Sequence, residues 1–416
     1  MESNFPIKTA TACALKWNWS TLFLNSGITR SCFRTSESTL TPENFENFHN
    51  TEIKIADREA MLNGKWPDSS CGYCKNIENS GGFSDRNLHL TLPHAIPPEL
   101  KENINSTTVS PTILEVYFNN TCNMGCLYCG PNLSSFIAKE NKEFGNFNSN
   151  GIDLISREKK YKTLVPYFWT WLNKNSHVLS ELHILGGEPL LQKELDILLD
   201  FFEKKPNINL SISITTNLNI PNEKLKEFVE KTKNLIKKRK IKSLGVICSI
   251  DCWGKEQEYV RYGLNLNLWE SNFEYLLKQK WISLKIHQTI SSLTIKTMPQ
   301  LIEKLVYWKS IGKVAQYLGE VGPTPIYMKP GIFGPDFFMD DFENIISLMP
   351  SNNEEEKNSI MCMRGIANSV KKSVQNQKEI SKLFTYLNEK DRRRGTDWRQ
   401  IFPWLQEFEI DINNKI

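Results

Sequence analysis

From Thr112 onward, strand-length apolar runs alternate with segments of helical period, and this order constrains the fold more than any other feature of the chain. Ile113–Phe118, Glu181–Leu185, Ile208–Thr215, Leu244–Ile250, Leu284–Ile290 and Pro325–Met328 read as strands. Between them Tyr161–Leu172, Asn222–Lys238, Leu268–Lys278 and Met298–Ile311 read as helices. Leu191, Leu195, Leu198 and Phe202 recur at i, i+4, i+7 and i+11, one face of a further helix. Parallel strands need crossover connections, so repeated β-then-α units predict an α/β protein with a parallel sheet. The strands are mostly apolar, as expected where both faces are covered. Six units predict a curved, incomplete barrel rather than a closed eight-fold one. In such barrels the working residues stand at the C-terminal ends of the strands.

Around this core, residues 1–105 form an irregular, Cys-containing region with little periodicity, which needs something besides an apolar core to hold it together. Residues 106–330 carry the alternating core, and residues 331–416 read as a helical extension. The acidic run Glu354–Glu356 and the basic run Arg392–Arg394 read as solvated faces. A net charge of +4 on 416 residues gives no case for nucleic acid or an anionic membrane. No run approaches the roughly 18 apolar residues of a membrane span, and the N-terminus has no apolar leader, so a cytoplasmic location is expected. In that compartment ten cysteines are expected as metal ligands or buried thiols rather than disulfides.

Seven of the ten fall before residue 130, in two groups. Cys122, Cys126 and Cys129 follow the first core strand in the spacing C-x3-C-x2-C. A loop this short can set three thiolates on one face of an iron–sulfur cube and supplies no fourth. An iron with an open position is where chemistry can occur; the alternative, a zinc site, usually takes four protein ligands. Further strings stand at strand ends. Gly186-Gly187-Glu188-Pro189 ends the second strand, where two glycines let backbone approach a ligand closely. Thr215-Thr216-Asn217 ends the third, and Ser249-Ile250-Asp251 the fourth, with Arg261 ten residues on.

Together these strings resemble the radical S-adenosylmethionine (SAM) enzymes, whose core is a partial (β/α)6 TIM-like barrel. The resemblance implies that a [4Fe–4S] cluster on Cys122, Cys126 and Cys129 presents its open iron to the amino and carboxylate groups of SAM. Tyr128, before the last cysteine, fits the family's aromatic position. Gly186, Gly187, Glu188 and Pro189 match the GGEP string that contacts the SAM amino group. Asn217, Ser249 and Asp251 match positions near SAM, and Arg261 matches an arginine that pairs with its carboxylate, a task a guanidinium suits. The chain departs from the family where glycines are expected, carrying Leu218 and Cys252. Cys248, Cys252 and Cys362 read as buried or idle thiols.

The other group, Cys13-x13-Gly27-x4-Cys32 followed by Cys71-x2-Cys74, resembles the twitch half of a SPASM module. There four thiolates hold an auxiliary [4Fe–4S] cluster, which without an open iron is suited to electron transfer. A structural zinc on the same four ligands is the alternative, and the module here precedes the core instead of following it. The resemblance implies reductive cleavage of SAM to a 5′-deoxyadenosyl radical, then hydrogen abstraction from a substrate. A peptide or protein is the leading substrate class, a small molecule such as a sugar alcohol the second, and a non-catalytic iron–sulfur carrier the reading from another class. An electron donor such as flavodoxin or ferredoxin is implied. The histidines are too dispersed to suggest a His-based site, and no residue stands out as a catalytic base.

Overall fold

The computed structural model describes residues 5–32, 34–67, 70–79, 84–147, 154–322 and 325–413. Eleven strands occur among them: β1 Trp19–Phe23, β2 Ile28–Arg30, β3 Ser38–Thr39, β4 Ile113–Tyr117, β5 Gly125–Cys126, β6 Glu181–Leu185, β7 Ser211–Thr216, β8 Ser243–Ser249, β9 Arg261–Tyr262, β10 Ser283–Ile290 and β11 Ala315–Glu320. With the helices between them they make a mixed α/β protein dominated by parallel strand pairing. The chain divides into two compact units.

The first unit comprises Met1–Thr121, Asn150–Ile214 and Val229–Leu244. Its strands run in the order β7-β6-β4-β1-β2-β3. β4 pairs in parallel with β1 and β6, and β6 with β7, while β2 is antiparallel to both neighbours. β1 lies in the stretch whose sequence shows little periodicity. Its five residues WSTLF are too few to show a period, yet every one pairs with β4. This N-terminal stretch also has a core of its own, built on Phe5, Ile7, Leu15, Trp17, Met61, Leu100 and Val109. Beside it runs a buried polar network. Arg58 donates to the carbonyls of Lys16, His49 and Thr107. The Lys54 ammonium donates to Ser20, Thr29 and the Phe48 carbonyl. Burial first, and then the charges of Arg58 and Lys16, push Lys54 well below the ordinary lysine pKa.

The strands alternate instead of being apolar on both faces. Leu114, Val116, Leu182, Ile184, Ile212 and Ile214 are buried on one face. Glu115, His183 and Ser213 stand in register on the other.

The second unit comprises Cys122–Ser149, Thr215–Phe228 and Gly245–Ile416. Here β10 pairs in parallel with β8 and β11, and β5 pairs with β9. The sixth core strand is β11, not Pro325–Met328, where Ile326–Met328 forms a 3-10 turn. β11 escapes sequence reading because it is an edge strand: only Gln316 and Leu318 are buried, and Tyr317 is 59% exposed. After it come the helices Met339–Leu348, Glu354–Lys371 and Gln377–Arg394. Their apolar residues Ile345, Met363, Ile380 and Leu387 share one core with the strand residues Ile290 and Leu318.

Both charged runs are partly built into the unit. Arg394 reaches Glu140 through Nε at 2.7 Å, Arg393 pairs with Glu389, and both arginine side chains are buried. Glu356 is buried against Lys309, whereas Glu354 is exposed. No helix among the described residues is long and apolar enough to cross a membrane.

Candidate functional site

In the second unit the cysteine loop turns back through β5. The β5–β9 pair sets Cys126 opposite Arg261, and the Leu127 amide donates to the Val260 carbonyl. Gly125 is required by packing, since a Cβ there would meet the Phe136 ring at 2.8 Å and the Arg394 guanidinium at 2.9 Å. A contact from far along the chain holds the loop from its other side: the buried Tyr386 hydroxyl donates to the Leu127 carbonyl at 2.6 Å. Sequence reasoning missed Tyr386 and Arg394, which lie in the helix read as a remote extension.

The Cys129 thiol feels the other two of the loop. Burial raises the Cys129 thiol pKa, and charge on Cys126 and Cys122 would raise it further. Cys126 is raised by burial and lowered by Arg261 and Arg394. Three neighbouring thiolates are therefore unfavourable here unless a positive centre draws off their charge, which is the condition for metal binding with proton release. Asn217 at the end of β7 donates to Asn123 at 2.9 Å, and its amide stands 3.8 Å from the Cys122 sulfur. The next residue, Leu218, adopts φ +57°. The non-glycine residue occupies a left-handed position because its side chain is fully buried, Thr216 accepts its amide and Asn272 donates to its carbonyl.

Asp251 and Arg261 form the charged centre of this unit. Asp251 is fully buried and accepts from Arg261 Nε at 2.8 Å, Arg261 Nη2 at 2.9 Å and the Thr289 amide at 2.8 Å. The Tyr128 hydroxyl donates to the same carboxylate. Burial opposes the Arg261 charge, but Asp251 more than offsets it and holds the guanidinium protonated. The sequence reading gives Tyr128, Asp251 and Arg261 separate positions near SAM, and the structure joins the three in one hydrogen-bonded group. Ser249 is buried at the end of β8. Cys248 and Cys252 are buried, the latter with its amide on Gln257 Oε1 at 2.9 Å, and Cys362 is exposed.

In the first unit, Gly186 and Gly187 follow β6 with φ +82° and +57°. The Glu188 amide donates to the Thr121 carbonyl at 2.7 Å, and its fully buried carboxylate caps the turn Pro189–Leu191. Gln192, unnoticed in the sequence, donates to the Gly186 carbonyl. A Cβ on Gly187 would lie 2.2 Å from the Thr121 carbonyl oxygen, a backbone atom one residue before Cys122. Gly187→Ala is expected to destabilise the protein by about 3 kcal/mol or more, as a left-handed alanine costs about 1–2 kcal/mol before any clash. Gly64→Ala, at φ +69° in open space, should show only the smaller cost. Equal shifts in urea midpoint for the two variants would contradict this account of Gly187.

The four remaining cysteines, spread from Cys13 to Cys74, line one small cavity of the first unit together with Lys16, Arg34, Asp85 and Arg86. Cys13 caps the helix Ala14–Asn18, and Cys71, at φ +71°, precedes the helix Gly72–Asn79. Burial pushes the Cys32 thiol up to about 11, with Lys16 pulling it down and Cys71 and Cys74 pushing it up. Burial likewise raises Cys13. Among the described residues no three His, Cys, Asp or Glu side chains are placed to hold a single metal ion.

No family model matches the chain. A GTP 3′,8-cyclase of Clostridium acetobutylicum is 31% identical over 104 residues, 25% of this chain and 26% of the cyclase. The chain thus spans about a quarter of the length of the curated relative it matches. Among solved structures, anSMEcpe with bound AdoMet and Cp18Cys peptide is 16% identical with a TM-score of 0.35, covering 57% of this chain and 59% of that one. Streptococcus suis SuiB bound to the precursor peptide SuiA is 15% identical with a TM-score of 0.36, covering 60% and 47%.

Proposed function

We propose that this protein is a radical SAM enzyme that abstracts a hydrogen atom from a peptide or protein substrate and carries an auxiliary [4Fe–4S] cluster for electron transfer. The observation that carries this reading is the cysteine loop and its setting. Three cysteines share one loop, where burial and then charge on Cys126 and Cys122 raise the Cys129 thiol, and a buried Tyr128–Asp251–Arg261 group is fastened to that loop through β9. The donor set fits a cluster with one open corner. Cys122, Cys126 and Cys129 would hold it, and with SAM bound it would supply a 5′-deoxyadenosyl radical.

The chain's own residues do the rest. Asp251 takes Nε and Nη2 of Arg261, which fixes the guanidinium and leaves Nη1 to meet a carboxylate. Asn217 directs its amide toward the Cys122 sulfur, a polar contact that moderates thiolate charge. Gly186–Pro189 keep the role toward the SAM amino group that the sequence resemblance gives them. By the same resemblance Cys13, Cys32, Cys71 and Cys74, which line one cavity, would hold the second cluster, and with all four thiolates filled its use would be electron transfer. Flavodoxin or ferredoxin would serve as donor to the first.

The test is anaerobic reconstitution with iron and sulfide, followed by metal analysis. Wild type should bind about eight irons, and the Cys13/Cys32/Cys71/Cys74→Ala variant about four, with one cluster signal lost on reduction. Zinc retained at the four-cysteine cavity after anaerobic purification would overturn the auxiliary cluster. Absence of 5′-deoxyadenosine from reduced wild type given SAM would overturn the enzyme.

A further inference from the structure

In the second unit β8, β10 and β11 bury Val246, Cys248, Ile286 and Leu318 on one face. On the other face the parallel register sets Ser249 beside His287 and His287 beside Tyr317. Thr289 and Gly319 stand in the next row, toward the C-terminal ends of the strands. Such ends are where working residues stand in α/β barrels. The SAM contacts proposed above use none of His287, Tyr317 and Gly319.

His287 is partly buried, yet among the described residues no group hydrogen-bonds to its imidazole. The Tyr317 ring lies beside it, with centroids 5.1 Å apart, and is itself mostly exposed. A Cβ on Gly319 would have only His287 Nε2 near it among the described residues, at 3.9 Å, so glycine keeps the lane in front of that nitrogen open. Polar groups enclosed by protein normally have a hydrogen-bond partner. Water or a ligand must therefore meet this one.

The imidazole is uncharged at neutral pH. Burial first, and then the Arg261 charge, holds its pKa down to about 4, with Asp251 pulling the other way. Arg261 in turn stands opposite Cys126 across β5 and β9. A guanidinium suits a carboxylate. A neutral imidazole offers one donor and one acceptor, which suits an uncharged amide. The Tyr317 ring adds an apolar surface next to it. An amide flanked by an apolar side chain is the repeating unit of a peptide.

We propose that His287 Nε2 hydrogen-bonds a backbone amide of the peptide substrate, with Tyr317 covering the adjacent side chain and Gly319 keeping the approach open. The inference rests on the proposed function, and it names the strand face on which that peptide lies. His287 binds the substrate and transfers no proton.

The test is equilibrium dialysis of the full-length enzyme, reconstituted, oxidised and saturated with SAM. Two probes are compared: N-acetyl-leucine N′-methylamide, an uncharged peptide unit, and N-acetyl-leucine, which ends in a carboxylate. Wild type should favour the amide. His287→Phe keeps a ring but loses both nitrogens, and should bind the amide about tenfold more weakly. His287→Gln keeps a donor and an acceptor, and should bind it within about threefold of wild type. Gly319→Val leaves His287 in place but fills the lane, so it should lose the amide as His287→Phe does, and it serves where the phenylalanine variant does not fold. Wild type that takes up neither probe, prefers the carboxylate, or binds the amide no better than these two variants overturns the contact. Release of 5′-deoxyadenosine by reduced wild type reports the proposed function separately. Release alongside amide binding that ignores His287 and Gly319 sinks the contact alone. Amide binding that depends on them, without release, sinks the radical chemistry and leaves the contact standing.

Discussion

Alanine at Cys122, Cys126 or Cys129 should reduce release of 5′-deoxyadenosine from SAM to background, a loss of about 1000-fold or more, or about 4 kcal/mol of barrier. The size of the effect follows from the lack of a spare ligand. The loop offers three thiols in C-x3-C-x2-C, and removing one leaves two. It follows too from electrostatics. Burial and neighbouring thiolates raise Cys129, so the loop binds metal only where each proton lost is matched by a bond to a positive centre. Cys362→Ala is the control, since that thiol is exposed, touches the Leu318 carbonyl and lies outside the loop. The measurement is chromatographic detection of 5′-deoxyadenosine after dithionite reduction, with iron content read on the same samples. Wild-type release from Cys126→Ala, with the other two cysteines intact, would detach the loop from the chemistry.

What could be read from the sequence was local. The cysteine loop and the two glycines of Gly186-Gly187 are signals of spacing and of backbone freedom, and both survive intact as loop and turn. β4, β6, β8 and β10 were legible because their apolar residues are contiguous or alternate over five or more positions. β11 was not, because an edge strand buries only part of one face and its sequence AQYLGE shows little of a strand's apolar content. β1 was hidden by its brevity, although its register with β4 is complete.

Pairings across long separations were out of reach for a different reason. Asp251 and Arg261 could each be picked out by position, but nothing in the sequence says that one carboxylate would take two guanidinium nitrogens, a tyrosine hydroxyl and a backbone amide at once. Tyr386 reaches Leu127 across 259 residues. His89, His94 and His183 looked dispersed, yet His89 Nδ1 lies 3.0 Å from His94 Nε2, and Glu181 lies 3.8 Å from His94 and 3.1 Å from His183. Basic residues at 392–394 read as solvated by their run, yet Arg393 and Arg394 find Glu389 and Glu140 and leave solvent.

Asp251→Asn should cost about 3–5 kcal/mol of stability, the usual penalty for leaving one partner of a buried ion pair alone. The Arg261 side chain is only 7% exposed and Asp251 is fully enclosed, so water cannot replace the lost charge. Asparagine keeps the shape but turns one oxygen into an NH2 group, and whichever oxygen is replaced would face a guanidinium N–H, another donor. Tyr128→Phe removes one neutral donor and leaves the ion pair whole, so its cost should be only about 1 kcal/mol. The decisive variant is the double one. Asp251→Leu with Arg261→Met removes both charges, and apolar replacement of a buried pair is often neutral or stabilising. If the pair serves only folding, that protein should recover both stability and cluster. If Asp251 instead positions Arg261 beside Cys126, as the β9 register indicates, stability should return while SAM cleavage and the native cluster spectrum do not. Urea unfolding and low-temperature EPR on the same three variants separate these outcomes, and a double variant that folds, binds iron and cleaves SAM like wild type would remove Asp251 and Arg261 from the working site.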